Sequence, residues 1–181
     1  METKIFGDKK IIISPLSSKD LKCAKEYMDF INELIEEDAK IFMDVKQNMK
    51  DEKTWVENSV KQVKNKEKVF LIARDRKKIA GNVSFGMLSF RKNHIATMGL
   101  AIAKPYRGLG LGKYLVTEIM KLAKKELKPN PKIFQLEAYE NNTPAISLYK
   151  KMGFKIVAKI PKQMQWKGKF VGKVIMMRPV K

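Results

Sequence analysis

The chain contains 181 residues, of which 44% are hydrophobic and 9% aromatic. This composition supports one hydrophobic core of ordinary domain size and excludes a disordered polycation, so we expect a single domain over residues 1–181. No uncharged apolar run approaches the roughly 18 residues that span a bilayer. The first ten residues are polar rather than leader-like, and we therefore expect a cytoplasmic protein without membrane contact.

Cysteine and histidine are too scarce for most metal or thiol chemistry. Cys23 is the one cysteine and His94 the one histidine. A lone cysteine permits neither an intrachain disulfide nor a cysteine-based zinc site, and a lone histidine makes a histidine-based site improbable. We expect no metal and no Cys-His catalysis.

The charge is large and unevenly distributed. The net charge is +19. Residues 20–57 hold 11 acidic against 6 basic residues, a net charge of −5, so the rest of the chain carries +24. A basic balance of this size indicates polyanionic partners such as nucleic acid, although a solvated lysine-rich surface is an equal explanation. No carboxylate side chain follows Glu140, where ten basic residues occur: Lys150, Lys151, Lys155, Lys159, Lys162, Lys167, Lys169, Lys173, Arg178 and Lys181.

The first third of the chain predicts one strand and two helices. Three consecutive isoleucines within residues 10–14 suit a short buried strand. Ser17 is the candidate N-cap of a helix that runs to about Glu36, with apolar residues at three-to-four spacing. A second helix begins at Asp51 or Thr54 and ends near Asn65. The connection between the two helices is not predicted.

The apolar period changes near Val69, and the remainder alternates strands with helices. Pro129 and Pro131 end the longer helix. The predicted strands are 69–73, 79–85, 95–103, 133–138, 153–160 and 171–177, and the predicted helices are 112–127 and 143–151.

A glycine-rich turn separates the strand 95–103 from the helix that follows. It reads Arg107-Gly108-Leu109-Gly110-Leu111-Gly112-Lys113. Unpaired amides at a helix start favour an anion, and glycines permit close approach, so this turn is a candidate phosphate cradle. It is one residue too short for a Walker loop, and it also fails the dinucleotide fingerprint. Alone, it is equally consistent with an ordinary strand-to-helix turn.

Two motifs and their order add a family resemblance. Arg107, Gly110 and Gly112 match a Gln/Arg-x-x-Gly-x-Gly/Ala pattern. About 30 residues later, the segment from Asn142 to Phe154 matches Asn-x-x-Ala-x-x-Leu-Tyr-x-x-x-Gly-Phe. Both patterns, and the order of predicted elements, resemble the GNAT superfamily of N-acetyltransferases, in particular its ribosomal-protein alanine and amino-acid acetyltransferase-like branch.

The resemblance implies an α/β fold, classed as α+β in some schemes. A mixed, mostly antiparallel, seven-stranded sheet would be splayed into a V, with helices on both faces and acetyl-CoA in the opening. Strand backbone would pair with the pantetheine arm, glycine-turn amides would hold the pyrophosphate, and an asparagine would support the cofactor from the other side. The implied cofactor-binding residues are Leu100, Ala101, Ile102, Arg107, Gly108, Leu109, Gly110, Leu111, Gly112, Lys113 and Asn142.

Acetyl transfer to an amine requires a neutral nucleophile, a stabilised oxyanion and a proton for the departing thiolate. The resemblance gives the last task to Tyr149. The alternative is a tyrosine that packs on the helix with its hydroxyl capped by the backbone. Glu137 precedes Tyr149 by the twelve residues typical of a base proposed in the alanine acetyltransferases; a lysine-paired strand residue is the alternative. A backbone amide near Leu100 is the implied oxyanion donor.

The resemblance implies that the acceptor is a primary amine. Deprotonating a lysine at pH 7 costs about 4.6 kcal/mol and an α-amine about 1.4 kcal/mol, so one glutamate base suits an α-amine, and a peptide or protein acceptor is favoured. The acids Glu33, Glu36, Glu37 and Asp38 would attract a cationic acceptor or form a solvated helix face.

Several alternatives remain open. The acceptor could be a small molecule: an amino acid, a polyamine or an antibiotic. The chain could instead be a non-catalytic acetyl-CoA sensor or a basic nucleic-acid-binding protein. Ribosome or nucleoprotein association rests on charge alone, and the sequence leaves open whether the protein is a monomer or a homodimer.

Overall fold

The computed structural model of the protein describes residues 1–180, which form eight strands and four α-helices. Lys181, the last of the ten basic residues after Glu140, lies outside the described residues. The helices are α1 (Ala24–Glu36), α2 (Met49–Lys64), α3 (Leu111–Glu126) and α4 (Thr143–Lys151). The strands are β1 (Glu2–Phe6), β2 (Lys9–Pro15), β3 (Lys68–Asp75), β4 (Lys78–Met87), β5 (Ile95–Ile102), β6 (Ile133–Tyr139), β7 (Lys155–Trp166) and β8 (Lys169–Pro179).

All eight strands belong to one sheet, in the order β1-β2-β3-β4-β5-β6-β8-β7. Every neighbouring pair is antiparallel except β5 and β6, which are parallel and connected through α3. A connection of this length is what a parallel pair requires. The predicted mixed, mostly antiparallel sheet is confirmed, but the predicted count of seven strands is wrong.

The additional strand is β1, which pairs antiparallel with β2 from Glu2 opposite Ile13 to Phe6 opposite Lys9. Gly7, with a φ of +61°, forms the turn between them. The first four residues of β1 are exposed, because β1 is an edge strand. The apolar alternation that reveals a half-buried strand is therefore absent from this segment.

Both predicted N-terminal helices begin at different residues from those expected. Residues 18–23 form a 3-10 turn, and α1 starts only at Ala24. α2 starts at Met49 because the Asn48 side chain caps it, accepting from the amides of Lys50 (2.9 Å) and Asp51 (3.0 Å). Asparagine is among the best N-cap residues, since its oxygen satisfies amides that lack a helical partner.

The sheet splits between β5 and β6. Their pairing extends from Ile95 opposite Ile133 to Met98 opposite Leu136 and ends there. β5 continues to pair with β4 as far as Ile102, while β6 continues to pair with β8 as far as Tyr139. Each strand thus follows its other neighbour beyond Met98, and the predicted V-shaped opening is present at this point.

Helices cover both faces of the sheet. On one face Phe70 of β3 contacts Tyr27 of α1 and Trp55 of α2, with ring centroids 6.5 and 5.8 Å apart. On the other face Phe85 of β4 stacks with Phe134 of β6 at 4.4 Å. The second face carries α3, whose apolar side is fully buried. Among residues 1–180, no helix combines the length and apolarity that a membrane crossing requires.

Candidate functional site

The glycine turn lies between the end of β5 and the start of α3. Gly108 and Gly110 have φ values of +76° and +88°, in the left-handed region that glycine adopts without strain. A Cβ added at either glycine would have no other heavy atom within 4 Å. The turn therefore borders open space and presents its backbone to it.

The backbone amides of this turn lack protein acceptors. From Gly108 to Lys113, none donates to a backbone carbonyl within residues 1–180; the Tyr114 amide is the first to do so, 3.1 Å from the Gly110 oxygen. The first amides of a helix are normally unsatisfied, and the helix dipole adds positive potential there. Free amides at a helix start are a common feature of phosphate-binding sites.

The β1–β2 hairpin supports the turn from outside. A Cβ added at Gly7 would lie 3.3 Å from Leu109 Cδ2. The Phe6 ring meets the Tyr114 ring edge-to-face at 5.6 Å, and the Tyr114 hydroxyl donates to the Glu2 carboxylate. Sequence reasoning did not find this support, because it depends on the strand that was not predicted.

Arg107 directs its side chain away from the turn. Its Nε donates to the Ile102 carbonyl at 2.9 Å, and its guanidinium forms an ion pair with Glu37 at the end of α1. Its own amide lies 3.3 Å from the Lys104 oxygen. The structure thus places the Arg107 side chain between β5 and α1 rather than among the free amides.

The peptide groups of β5 point alternately to β4 and to the opposite side. Hydrogen bonds at the two ends of the strand show which residues face β4. The Ala103 amide donates to the Ala80 oxygen (3.0 Å), and the Ile95 oxygen accepts from the Leu88 amide (2.9 Å). On an antiparallel strand, alternate residues direct both groups to the same neighbour. Ala101 therefore directs its peptide groups to β4.

Leu100 and Ile102 direct their peptide groups towards the opening. Since Arg107 holds the Ile102 oxygen, the free groups at this edge are both groups of Leu100 and the amide of Ile102. The expected pairing of a pantetheine arm with residues 100–102 thus rests on Leu100 and Ile102, and the contribution of Ala101 is indirect.

The second half of the site lies on the other arm of the V. Asn142 connects β6 to α4; its amide donates to the Tyr139 oxygen at 2.9 Å, and its oxygen accepts from the Ile146 amide at 3.0 Å. Its side chain does not cap α4. A Cβ added at Gly112 would lie 3.4 Å from Leu148 Cδ2 of α4, so α3 and α4 approach closely on this face.

The Tyr149 side chain is buried on α4, with its ring 6.2 Å from that of Phe154. Burial raises the pKa of Tyr149 to about 12. Within residues 1–180, the one fully buried side-chain polar atom without a hydrogen bond is the Tyr27 hydroxyl. The Tyr149 hydroxyl has no protein partner either, and it therefore retains access to the surface. The alternative of a backbone-capped hydroxyl is not what the structure shows.

Glu137 lies one residue beyond the last β5–β6 pair, on the face of the sheet opposite to α4. Its Oε2 accepts from Lys173 Nζ at 2.9 Å, and both side chains are partly buried. Its position at the opening suits the expected base, and its pairing with a lysine suits the alternative.

Most of the acids expected to attract a cationic acceptor are paired within the chain. Glu36 contacts Lys46 at 2.7 Å, Asp38 contacts Lys167 at 3.3 Å, and Glu37 pairs with Arg107. Within residues 1–180, Glu33 is the member of the group without an ion pair. No cluster of three or more potential metal ligands occurs in the described part of the chain.

Comparison with known proteins decides the family. Residues 29–154, most of the chain, match the model of the Acetyltransferase (GNAT) family. This chain belongs to that family. The match contains the glycine turn, β5, β6 and α4, so the elements of the candidate site are those of a GNAT domain, and the resemblance found in the sequence is confirmed.

Two curated relatives of this GNAT chain are N-acetyltransferases. One is the N-alpha-acetyltransferase of Sulfurisphaera tokodaii, 42% identical over 67 residues, which are 37% of this chain and 38% of that protein. The other is the L-amino acid N-acetyltransferase AaaT of Escherichia coli, 27% identical over 88 residues, which are 49% of this chain and 53% of that protein. The matched part thus spans well under two thirds of each relative.

Solved structures share the GNAT fold over nearly the whole chain. An acetyltransferase of Streptococcus pneumoniae superposes with a TM-score of 0.81 at 24% identity, covering 94% of this chain and 99% of that one. The yncA protein of Salmonella typhimurium, solved with acetyl-CoA, superposes with a TM-score of 0.79 at 18% identity, covering 94% of this chain and 94% of that one. The ribosomal-protein-alanine N-acetyltransferase of Brucella melitensis superposes with a TM-score of 0.78 at 19% identity, covering 93% of this chain and 99% of that one. At these identities the likeness shows the fold alone.

Substituting Gly110 with valine tests the cradle. Gly110→Val places a branched side chain among the free amides, at a φ of +88° that costs a non-glycine residue about 1–3 kcal/mol. Losing two charge-assisted bonds would weaken coenzyme A binding about a hundredfold. Isothermal titration calorimetry measures this loss.

Gly168→Val is the matched control, because Gly168 also has a positive φ (+71°) and open space around its Cβ position, but lies in the β7–β8 turn. Its affinity should equal that of the wild type. Unchanged affinity of Gly110→Val would remove the glycine turn from the binding site.

Proposed function

We propose that this protein is an acetyl-CoA-dependent N-acetyltransferase, formed by residues 1–181 as one domain, that transfers the acetyl group directly to a primary amine. One observation carries the proposal: the run of free amides from Gly108 to Lys113 lies beside the free edge of β5. Coenzyme A has two chemical parts that match this arrangement. The row of amide donors suits its diphosphate, and the unpaired strand edge suits its amide-containing arm.

The residues present fit this donor. The amides of the glycine turn would donate hydrogen bonds to the pyrophosphate, and Lys113 adds a positive charge in the first turn of α3. Leu100 and Ile102 would pair with the pantetheine amides as a neighbouring strand would. Asn142 lies on the opposite arm of the sheet. Its side chain does not cap α4 and would support the pantetheine part of the ligand. Bonds to charged groups contribute roughly 1.5–3 kcal/mol each, so several suffice for useful affinity.

Acetyl-CoA supplies an acetyl group activated as a thioester. The Tyr149 hydroxyl donates a proton to the departing sulfur, and its pKa of about 12 keeps it protonated at any assay pH near neutrality. The free Leu100 amide donates to the acetyl oxygen as negative charge builds there. Tyr149 comes from the face that carries α4.

Glu137 approaches from the other face and takes the proton that the attacking amine releases. The Lys173 ammonium holds its carboxylate at the opening, 2.9 Å away. Because general bases contribute roughly 10² to 10⁴ in rate, this assignment accounts for a substantial part of turnover at neutral pH. The division of the two proton transfers between opposite faces leaves the opening free for acceptor and donor.

The proposed acceptor is the α-amine of a peptide or protein. An α-amine needs about 3 kcal/mol less than a lysine to become neutral at pH 7, which one glutamate can accommodate. The Sulfurisphaera relative, named an N-alpha-acetyltransferase, supports this choice. The ribosomal-protein-alanine enzyme of Brucella supports it only through the shared fold.

A free amino acid is the second candidate acceptor. It carries the same α-amine, and the Escherichia coli relative is named an L-amino acid N-acetyltransferase. The basic residues after Glu140 would further bring the enzyme to ribosomes or nucleoprotein, a proposal that rests on charge.

A panel of amines tests the proposed function. The enzyme is incubated with isotopically labelled acetyl-CoA and with peptides, free amino acids and polyamines, and mass spectrometry locates the label. We expect label on peptide α-amines and none on lysine side chains. Label on free amino acids alone would establish the second candidate.

Two other results of the panel would contradict catalysis. Tight acetyl-CoA binding without transfer to any amine would identify a sensor. Steeply salt-dependent binding to random nucleic acid, without coenzyme A binding, would identify a nucleic-acid-binding protein.

Removing the Tyr149 hydroxyl should slow turnover. Tyr149→Phe eliminates the proton donor and should lower kcat about a hundredfold while coenzyme A affinity stays unchanged. Tyr27→Phe is the control, because it removes a tyrosine hydroxyl on α1 that also has no hydrogen bond. Steady-state kinetics of both variants would contradict the assignment if Tyr149→Phe retained the wild-type kcat.

Removing the Glu137 carboxylate should produce a pH-dependent loss. The kcat/KM of Glu137→Gln should fall about a hundredfold at pH 7, and the deficit should shrink as the pH approaches the pKa of the amine, because the amine then needs no base. Lys173→Gln keeps the carboxylate but removes the ion pair, and should retain most activity. A pH-independent loss, or an equal loss in Lys173→Gln, would assign Glu137 a structural role.

A further inference from the structure

A short segment after α1 crosses the open end of the V. Residues 37–41, the bridge segment, contact the β6–β8 arm at several points. The Tyr139 hydroxyl donates to the Ile41 oxygen at 3.0 Å, and Trp166 Nε1 donates to the Asp38 oxygen at 2.9 Å. Lys40 Nζ donates to the Asn141 oxygen at 2.6 Å. Three hydrogen bonds therefore connect the segment to this side of the opening.

On the other side the bridge segment has one polar connection to the glycine turn and β5. Glu37 forms an ion pair with Arg107, whose Nε holds the Ile102 oxygen at 2.9 Å. The planar guanidinium thus joins three parts of the fold through one side chain: the turn that contains it, the end of β5 and the end of α1. The Glu37 side chain is only 19% exposed, so the pair is partly shielded from water.

The residues that follow the bridge segment include three exposed apolar side chains, the apolar border, of which Phe42 contacts the end of β6. Phe42, Met43 and Val45 are all exposed, and the Phe42 ring lies 5.8 Å from that of Tyr139. Their location depends on where the bridge segment is held. A substituent on the acceptor amine would pass this border on its way to the thioester.

We propose that the Arg107–Glu37 pair is a positioning contact that couples donor binding at the glycine turn to the acceptor side of the opening. The proposal rests on the proposed function. Binding of a diphosphate at the turn fixes the backbone that carries Arg107, and the fixed guanidinium then holds Glu37 and the bridge segment. Coupling of this kind is reciprocal, so acceptor binding strengthens donor binding by the same factor.

The variant Glu37→Gln tests the coupling, since glutamine keeps the size of the side chain and removes its charge. Glu118→Gln is the matched control, because Glu118 pairs with Lys121 at 2.7 Å on α3, away from the bridge segment. We expect the acceptor KM of Glu37→Gln to rise about fivefold, with kcat, and the coenzyme A affinity measured without acceptor, within twofold of the wild type. The control should match the wild type in all three quantities.

Hydrogen exchange gives a readout that requires no acceptor. In the wild type, coenzyme A should slow exchange of the amides in residues 37–41, and in Glu37→Gln this slowing should disappear while protection of residues 108–113 remains. If the amine panel finds no transfer, the exchange result still decides the coupling by itself.

Three results would overturn the proposal. One is an acceptor KM of Glu37→Gln equal to that of the wild type. Another is protection of residues 37–41 by coenzyme A that persists in this variant. The third is an equal rise in KM for Glu118→Gln, which would trace the effect to the loss of charge in general.

Discussion

Backbone amides that lose water when a ligand binds need another hydrogen-bond acceptor, and this requirement governs the region around the glycine turn and the start of α3. Within residues 1–180, the amides from Gly108 to Lys113 have no backbone acceptor. Two glycines with positive φ make this arrangement possible, because they turn the chain sharply and leave no side chain over the donors. The start of α3 then adds its own unsatisfied amides and the positive end of its dipole.

The rest of the fold places an unpaired strand edge beside these amide donors. β5 and β6 pair only as far as Met98 and Leu136, so the last part of β5 offers a free edge directly before the glycine turn. The β1–β2 hairpin packs against Leu109 and Tyr114 and holds the turn in place. The proposed donor site thus depends on local chain geometry and on the point where β5 and β6 stop pairing.

The proposed acceptor side of the opening has a different physical basis, because it is built from contacts between distant residues. The bridge segment reaches Tyr139 and Trp166 on one arm and Arg107 on the other. These interactions use polar side chains and carbonyl groups at partly exposed positions. Each is modest in energy, which is compatible with the proposed passage of an acceptor.

The distinction between local chain geometry and contacts of distant residues also explains how much of the structure could be predicted from the sequence. The glycine turn, α3 and the helix that carries Tyr149 follow from local motifs and periodicity, and the structure contains them within a few residues of their expected bounds. β1 was not predicted because exposed edge residues show no alternation. The contacts of Arg107 with Glu37 and of Glu137 with Lys173 were not assigned, because 70 and 36 residues separate the partners. No local pattern records such pairings, and several lysines compete for each carboxylate.

We propose that main-chain nitrogens of the glycine turn bind the diphosphate of coenzyme A. An NMR titration of the ¹⁵N-labelled protein with coenzyme A measures these nitrogens directly. We expect saturable shifts of the amide resonances from Gly108 to Lys113, together with those of Leu100 and Ile102. Saturable binding that left the resonances of the glycine turn unmoved would contradict it.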